Sequence, residues 1–142
     1  EDQDTGKLDE YEINLLEETT ESGREVWKIE TIPNAERARK SRYSRTVLYV
    51  DKERFVELRI EMYDQYGKEI KRMLGARVEL MNGIWVARST TIMNLVTNRL
   101  SNMAFLEMHT GIDVPDEFLT QRTLTDAAFR ETELEKLRAQ ID

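Results

Sequence analysis

Apolar and polar residues alternate with a period of two along most of the chain as far as residue 110, the pattern of half-buried β-strands. The plainest run is Phe55 to Tyr63, where Val56, Leu58, Ile60 and Met62 fall on one parity and Glu57, Arg59 and Glu61 on the other. That predicts a strand with one covered face and one wet face. Arg45 to Asp51 precedes it, rich in β-branched and aromatic residues, and Asp51-Lys52-Glu53 is short enough to make the pair a hairpin. Asp64 to Lys68 predicts a turn, with Gly67 available for positive φ. Glu69 to Met81 predicts the next strand. Ile70, Leu74, Val78 and Leu80 share a parity that Arg72 and Ala76 interrupt, and Gly75 marks a bulge or bend. Asn82-Gly83 is the strongest hairpin signal, since it suits a type I′ turn. Ile84 to Val96 and Arg99 to His109 follow, joined by Thr97-Asn98. Upstream, Glu10 to Glu18 and Arg24 to Ile32 flank the Glu21-Ser22-Gly23 turn, and Pro33 ends the second.

Seven strands joined mainly by tight turns make a mainly β fold, a large antiparallel sheet that must curl because long twisted strands do not stay flat. Pro33 to Arg45 is a polar, basic connection. In the tail, Val114 to Leu119 reads as a helical turn. Asp126 to Ile141 reads as a terminal helix, with Leu134, Leu137 and Ile141 on one stripe and Thr125 or Asp126 as its cap.

Composition removes many functions. The 142 residues carry 21 basic and 28 acidic side chains, a formal charge of −7, with one histidine and no cysteine. One domain is the expectation at this length. Disulfides, thiolate nucleophiles and Cys-based metal sites are excluded, as is any site needing two imidazoles. The acidic balance argues against non-specific nucleic-acid binding. No apolar run approaches the roughly 20 residues that span a bilayer as a helix. The chain opens Glu1-Asp2-Gln3-Asp4 without a signal peptide, as a cleaved or trimmed start would.

Candidate chemistry is sparse. His109 and Glu107 share a parity, and such a pair can bind metal or move protons; with no second histidine, an ordinary structural histidine is the stronger reading. Asp2/Asp4 and Asp113/Asp116 lack calcium-loop spacing. No phosphate loop, GxSxG or HExxH is present. Arg37, Arg39, Lys40, Arg42 and Arg45, with Tyr43 among them, form the most uneven charge in the chain. This basic patch is either solvated surface or a docking site for a lipid headgroup or an acidic protein. Met62, Met73, Met81, Met93, Met103 and Met108 fall on predicted strands, where methionine fills a core or adapts to varied apolar ligands. Trp27 and Trp85 read as core anchors. A curled sheet has a concave apolar face, and one helix with one helical turn is thin cover for seven strands.

The order of motifs carries a resemblance. Tyr11 to Leu16, Gly23 to Ile29 with Pro33, Val47 to Lys52, Glu61 to Lys68, Asn82 to Ala87 and Val114 to Thr120 follow one another as in the carboxyl-terminal part of the LolA-like outer-membrane lipoprotein-sorting family, which this chain resembles. The resemblance spans about residues 8 to 125. It implies an incompletely closed antiparallel β-barrel whose apolar cavity receives acyl chains of a lipoprotein or lipid. It also implies a periplasmic location, non-covalent transfer toward an outer-membrane acceptor, and association with an RND-type transporter. Family members carry a leading helix and first strands ahead of this point, so a single LolA-like domain over 1–142 lacking that part is the expectation, with 126–141 as its terminal helix.

On this reading the chain is a carrier, not an enzyme, and needs no cofactor. Parity nominates Val56, Leu58, Ile60, Met62, Leu74, Val78 and Leu80 as lipid-contacting. The rival reading is a periplasmic protein-interaction or sensor module that binds a protein partner across the same sheet. Self-association through an uncovered face or edge is a further expectation.

Overall fold

The computed structural model describes residues 7–109 and 111–141. Strands β1 (Tyr11–Glu21), β2 (Arg24–Pro33), β3 (Arg45–Asp51), β4 (Glu57–Tyr63), β5 (Glu69–Met81), β6 (Ile84–Asn94) and β7 (Arg99–Ala104) form one antiparallel sheet in sequence order. The expected meander is therefore the topology. Among the described residues β1 and β7 do not pair with each other, so the sheet is open at both margins.

Turn chemistry sets most boundaries. Asn82 and Gly83 have φ of 49° and 78°, both in the left-handed region that a type I′ turn demands. The β6 strand stops at Asn94 rather than Val96, because the Asn94 Oδ1 accepts the N–H groups of Val96 and Thr97 at 3.1 and 3.0 Å. The β7 strand ends at Ala104, leaving Met108 and His109 beyond it. Phe55 has φ of 54° and closes the β3–β4 turn, so β4 begins at Glu57 and not at Phe55. Gly75 lies at no register break. A Cβ there would stand 2.6 Å from the Glu57 carbonyl oxygen, so the glycine permits a close backbone approach, and of the expected bulge or bend no bulge is present in its pairing with β6.

The bulges lie elsewhere. Register shifts occur between Leu15 and Glu17, between Tyr49 and Val50 against β4, and between Met62 and Tyr63 against β5. Each adds one residue to one strand and bends it.

The buried core of Val26, Val47, Tyr49 and Leu58 lies on one face, with Tyr63 and Val78 packed against it. The same face carries Arg59 and Glu61, so the expectation of a wet side to β4 is corrected: Glu61 is only 6% exposed. Arg59 bonds Glu61 and lies 3.5 Å from Glu21, and the Tyr63 hydroxyl donates to Glu61 at 2.8 Å. Arg45 pairs with Glu30 at 2.9 Å while its guanidinium covers the Tyr63 ring at 4.2 Å. These pairings let charged side chains lie under cover. Burial and the bond to Glu61 push the Tyr63 phenol upward.

Two compact units divide the chain, Glu1–Leu106 and Glu107–Asp142. The second contains a 3-10 turn (Asp116–Leu119) and two helices, Gln121–Thr125 and Ala127–Arg138. Asp126, not Thr125, caps the longer helix by accepting the Phe129 N–H at 3.0 Å. That helix ends at Arg138, so Ile141 lies past the stripe expected of it. Among the described residues no helix is long and apolar enough to cross a membrane.

Candidate ligand-binding hollow

The face opposite the core carries a half-open hollow of about 360 Å³ within the first unit. Its volume falls toward the lower end of small-molecule sites. Register assembles its wall. Thr31 lies across from Thr46, Thr46 from Met62, Leu48 from Ile60, and Ile60 from Met73. Directly opposed residues share a face, so these side chains form one continuous lining over β2 to β5. Tyr11 and Ile13 extend it onto β1.

One end is closed by the connection from Pro33 to Ser44, which contains a four-residue helix, α1 (Ala35–Ala38), where a plain loop was expected. The Asn34 Oδ1 accepts the N–H groups of Glu36 and Arg37 at 3.1 and 2.9 Å. The Asn34 N–H donates to the Glu10 carbonyl at 2.8 Å, pinning the connection to the start of β1. Arg37, Ser41 and Tyr43 line the hollow from this segment, and Arg37 donates from Nε to the Tyr11 hydroxyl at 3.0 Å.

A second hollow of about 150 Å³ adjoins the first, lined by Val56, Arg59, Gly75, Ala87 and Thr90. Glu57, Ile60 and Met73 line both.

The nominated apolar residues do not stay together. Ile60 and Met62 line the large hollow and Val56 the small one. Leu58 sits in the core on the other face, with Val78 packed against it. Leu74 is opposite Arg59, the parity that turns away from Met73, and Leu80 is 58% exposed. Two bulges explain the dispersal: an inserted residue moves every side chain beyond it to the other face. Leu48, Met73, Ile13 and Tyr11 are lining residues that parity within single strands does not reveal. The register of Met73 against Ile60 does. Of the basic patch, Arg37 faces the hollow, Arg39, Lys40 and Arg42 are exposed, and Arg45 is turned to Glu30 and Tyr63 on the core face.

Among the described residues Glu57 is the one acidic residue of the lining. Its side chain is exposed, yet the protein atoms packed around it push its carboxyl above the usual carboxylate range. A folded-state carboxyl held high detracts from stability as pH rises above its ordinary value of 4.5. Glu57→Gln is therefore expected to raise the thermal midpoint modestly at neutral pH, with the gain vanishing near about pH 4. Melting curves at both pH values test this, and a gain equal at the two would count against it.

His109 Nε2 lies 3.7 Å from Glu107 in an exposed segment. Among the described residues no group of three or more His, Cys, Asp or Glu side chains is placed to hold a metal ion. Asp2 and Asp4 lie outside the described residues.

A family model described as "uncharacterized protein" matches residues 1–126. A domain from Vibrio parahaemolyticus described as an outer membrane lipoprotein-sorting protein superposes with a TM-score of 0.75 at 22% identity, covering 87% of this chain and 52% of that one. The chain belongs to the matched family, and its fold is LolA-like. A LolA superfamily protein from Nitrosomonas europaea agrees, with a TM-score of 0.65 at 18% identity over 80% of this chain and 50% of its own. A DUF1329 family protein from Desulfovibrio piger gives 0.68 at 22%, over 87% and 50%. The chain thus spans about half the length of each of these solved structures. No curated protein matches it.

Proposed function

We propose that this chain is the binding part of a carrier in the bacterial periplasm, holding an acyl chain of a lipid or lipoprotein in the β1–β5 hollow and releasing it toward an outer-membrane acceptor. The observation that carries the reading is the hollow itself, walled by Ile13, Leu48, Ile60, Met62 and Met73 on a LolA-like sheet. Burial of each CH₂ contributes about 0.8 kcal/mol, so roughly ten buried carbons are needed for reversible micromolar retention. Met62 and Met73 suit cargo of varied shape, because an unbranched thioether repacks readily. Binding is non-covalent, and the cargo leaves unchanged. Delivery by an RND-type transporter and docking through the basic connection are parts of the same proposal.

Leu48→Arg or Ile60→Arg places a charge in the hydrocarbon path. Each is expected to weaken displacement of an environment-sensitive dye by a twelve-carbon alcohol about tenfold or more, with the strand circular dichroism unchanged. Wild-type affinity in both variants would overturn the reading. A protein-binding module is the second reading, favoured by β7, where Leu100 and Met103 are exposed on an edge that is unpaired among the described residues. Lipid extracted from the purified protein and weighed by mass spectrometry separates the two: co-purified acyl species support the carrier, and a clean extract supports the module.

A further inference from the structure

Glu57 stands out within the hollow. It pairs with Val50 at the β4 bulge, on the face that Leu48 and Ile60 share, and it belongs to both hollows together with the apolar Ile60 and Met73. Among the described residues no hydrogen bond or ion pair reaches its carboxylate. The nearest candidate cation along the chain, Arg59, borders the small hollow but directs its guanidinium to Glu61, Glu21 and the Tyr49 ring. Arg37 lies at the far end, where it donates to the Tyr11 hydroxyl next to Pro33. From Thr46 to Val50 the strand advances about 13 Å. An apolar wall thus has a carboxylate at one end with no donor supplied by the protein. Such a group is costly to cover unless a ligand brings the donor.

We infer that Glu57 is the polar recognition point of the hollow, selecting amphiphiles whose polar group donates hydrogen bonds, most of all an ammonium, over those whose polar group is anionic. This rests on the reading of the hollow as a hydrocarbon site and names the class of cargo it takes. Donation to a charged acceptor distinguishes the classes by about tenfold or more.

The test uses three probes of one chain length against the whole chain at neutral pH: dodecylamine, dodecanol and dodecanoate, each by calorimetry or dye displacement. Wild type is expected to bind them in that order of affinity. In Glu57→Gln, which keeps the shape and removes the charge, the amine-to-carboxylate ratio is expected to fall about tenfold or more. A ratio unchanged by the substitution, or a wild type indifferent to the polar group while dodecanol still binds, would overturn the role of Glu57 and leave the hydrocarbon site standing. Failure of all three probes to bind would overturn both.

Discussion

Asp51→Ala is expected to destabilise the protein by about 3 kcal/mol, a large loss for one short side chain. Asp51 is fully buried at the end of β3. Its carboxylate accepts from Arg24 at 2.7 and 3.1 Å and from the N–H groups of Glu53 and Arg54 at 2.9 and 3.1 Å. Truncation leaves two turn amides and a guanidinium without that acceptor, at the point where β2, β3 and the turn into β4 are joined. The bonds from Arg24 foremost, then those from the turn amides, hold the carboxyl down at about 2. A depressed carboxyl contributes stability that is present above its ordinary value of 3.8 and is lost as pH falls toward 2. The gap between wild type and variant in urea unfolding should accordingly shrink between about pH 5 and pH 2. A gap independent of pH would show that the carboxylate charge is not what holds the turn.

Gly75→Ala is expected to cost about 2 kcal/mol although it adds a single methyl group. The new Cβ would lie 2.6 Å from the Glu57 carbonyl oxygen and 3.2 Å from the Ala87 Cβ. The first neighbour is backbone, so relief requires β4 to move away from β5 at the bulge. That movement displaces Glu57 as well, and the variant should bind the twelve-carbon probes less tightly than wild type. Chemical denaturation measures the first effect. A change below about 0.5 kcal/mol would show that the strands separate there without strain.

Much of the sheet is legible in the residues alone. Asn82-Gly83 and Ser22-Gly23 announce their turns because few residue types accept positive φ, and the alternation in β3 to β6 follows from a period of two. The hollow is only half legible, for a definite reason. Parity counting assumes an unbroken register, and the bulge between Glu57 and Arg59 sends Leu58 to the core while Ile60 and Met62 stay with the hollow. The shift at Met62 and Tyr63 then exchanges the two sets on β5, making Met73 rather than Leu74 the lining residue. Both shifts are settled by pairing between strands, which no window along one strand contains. The charged face of β4 misleads similarly: Glu61 alone reads as solvated, and only Arg59 and Tyr63 folded over it explain its burial.

Glu57, Ile60 and Met73 belong at once to the two adjoining spaces, so a substitution at any of them reshapes both. Met73, unbranched and adaptable, is the shared side chain whose replacement by a branched residue would change the shape of both spaces most.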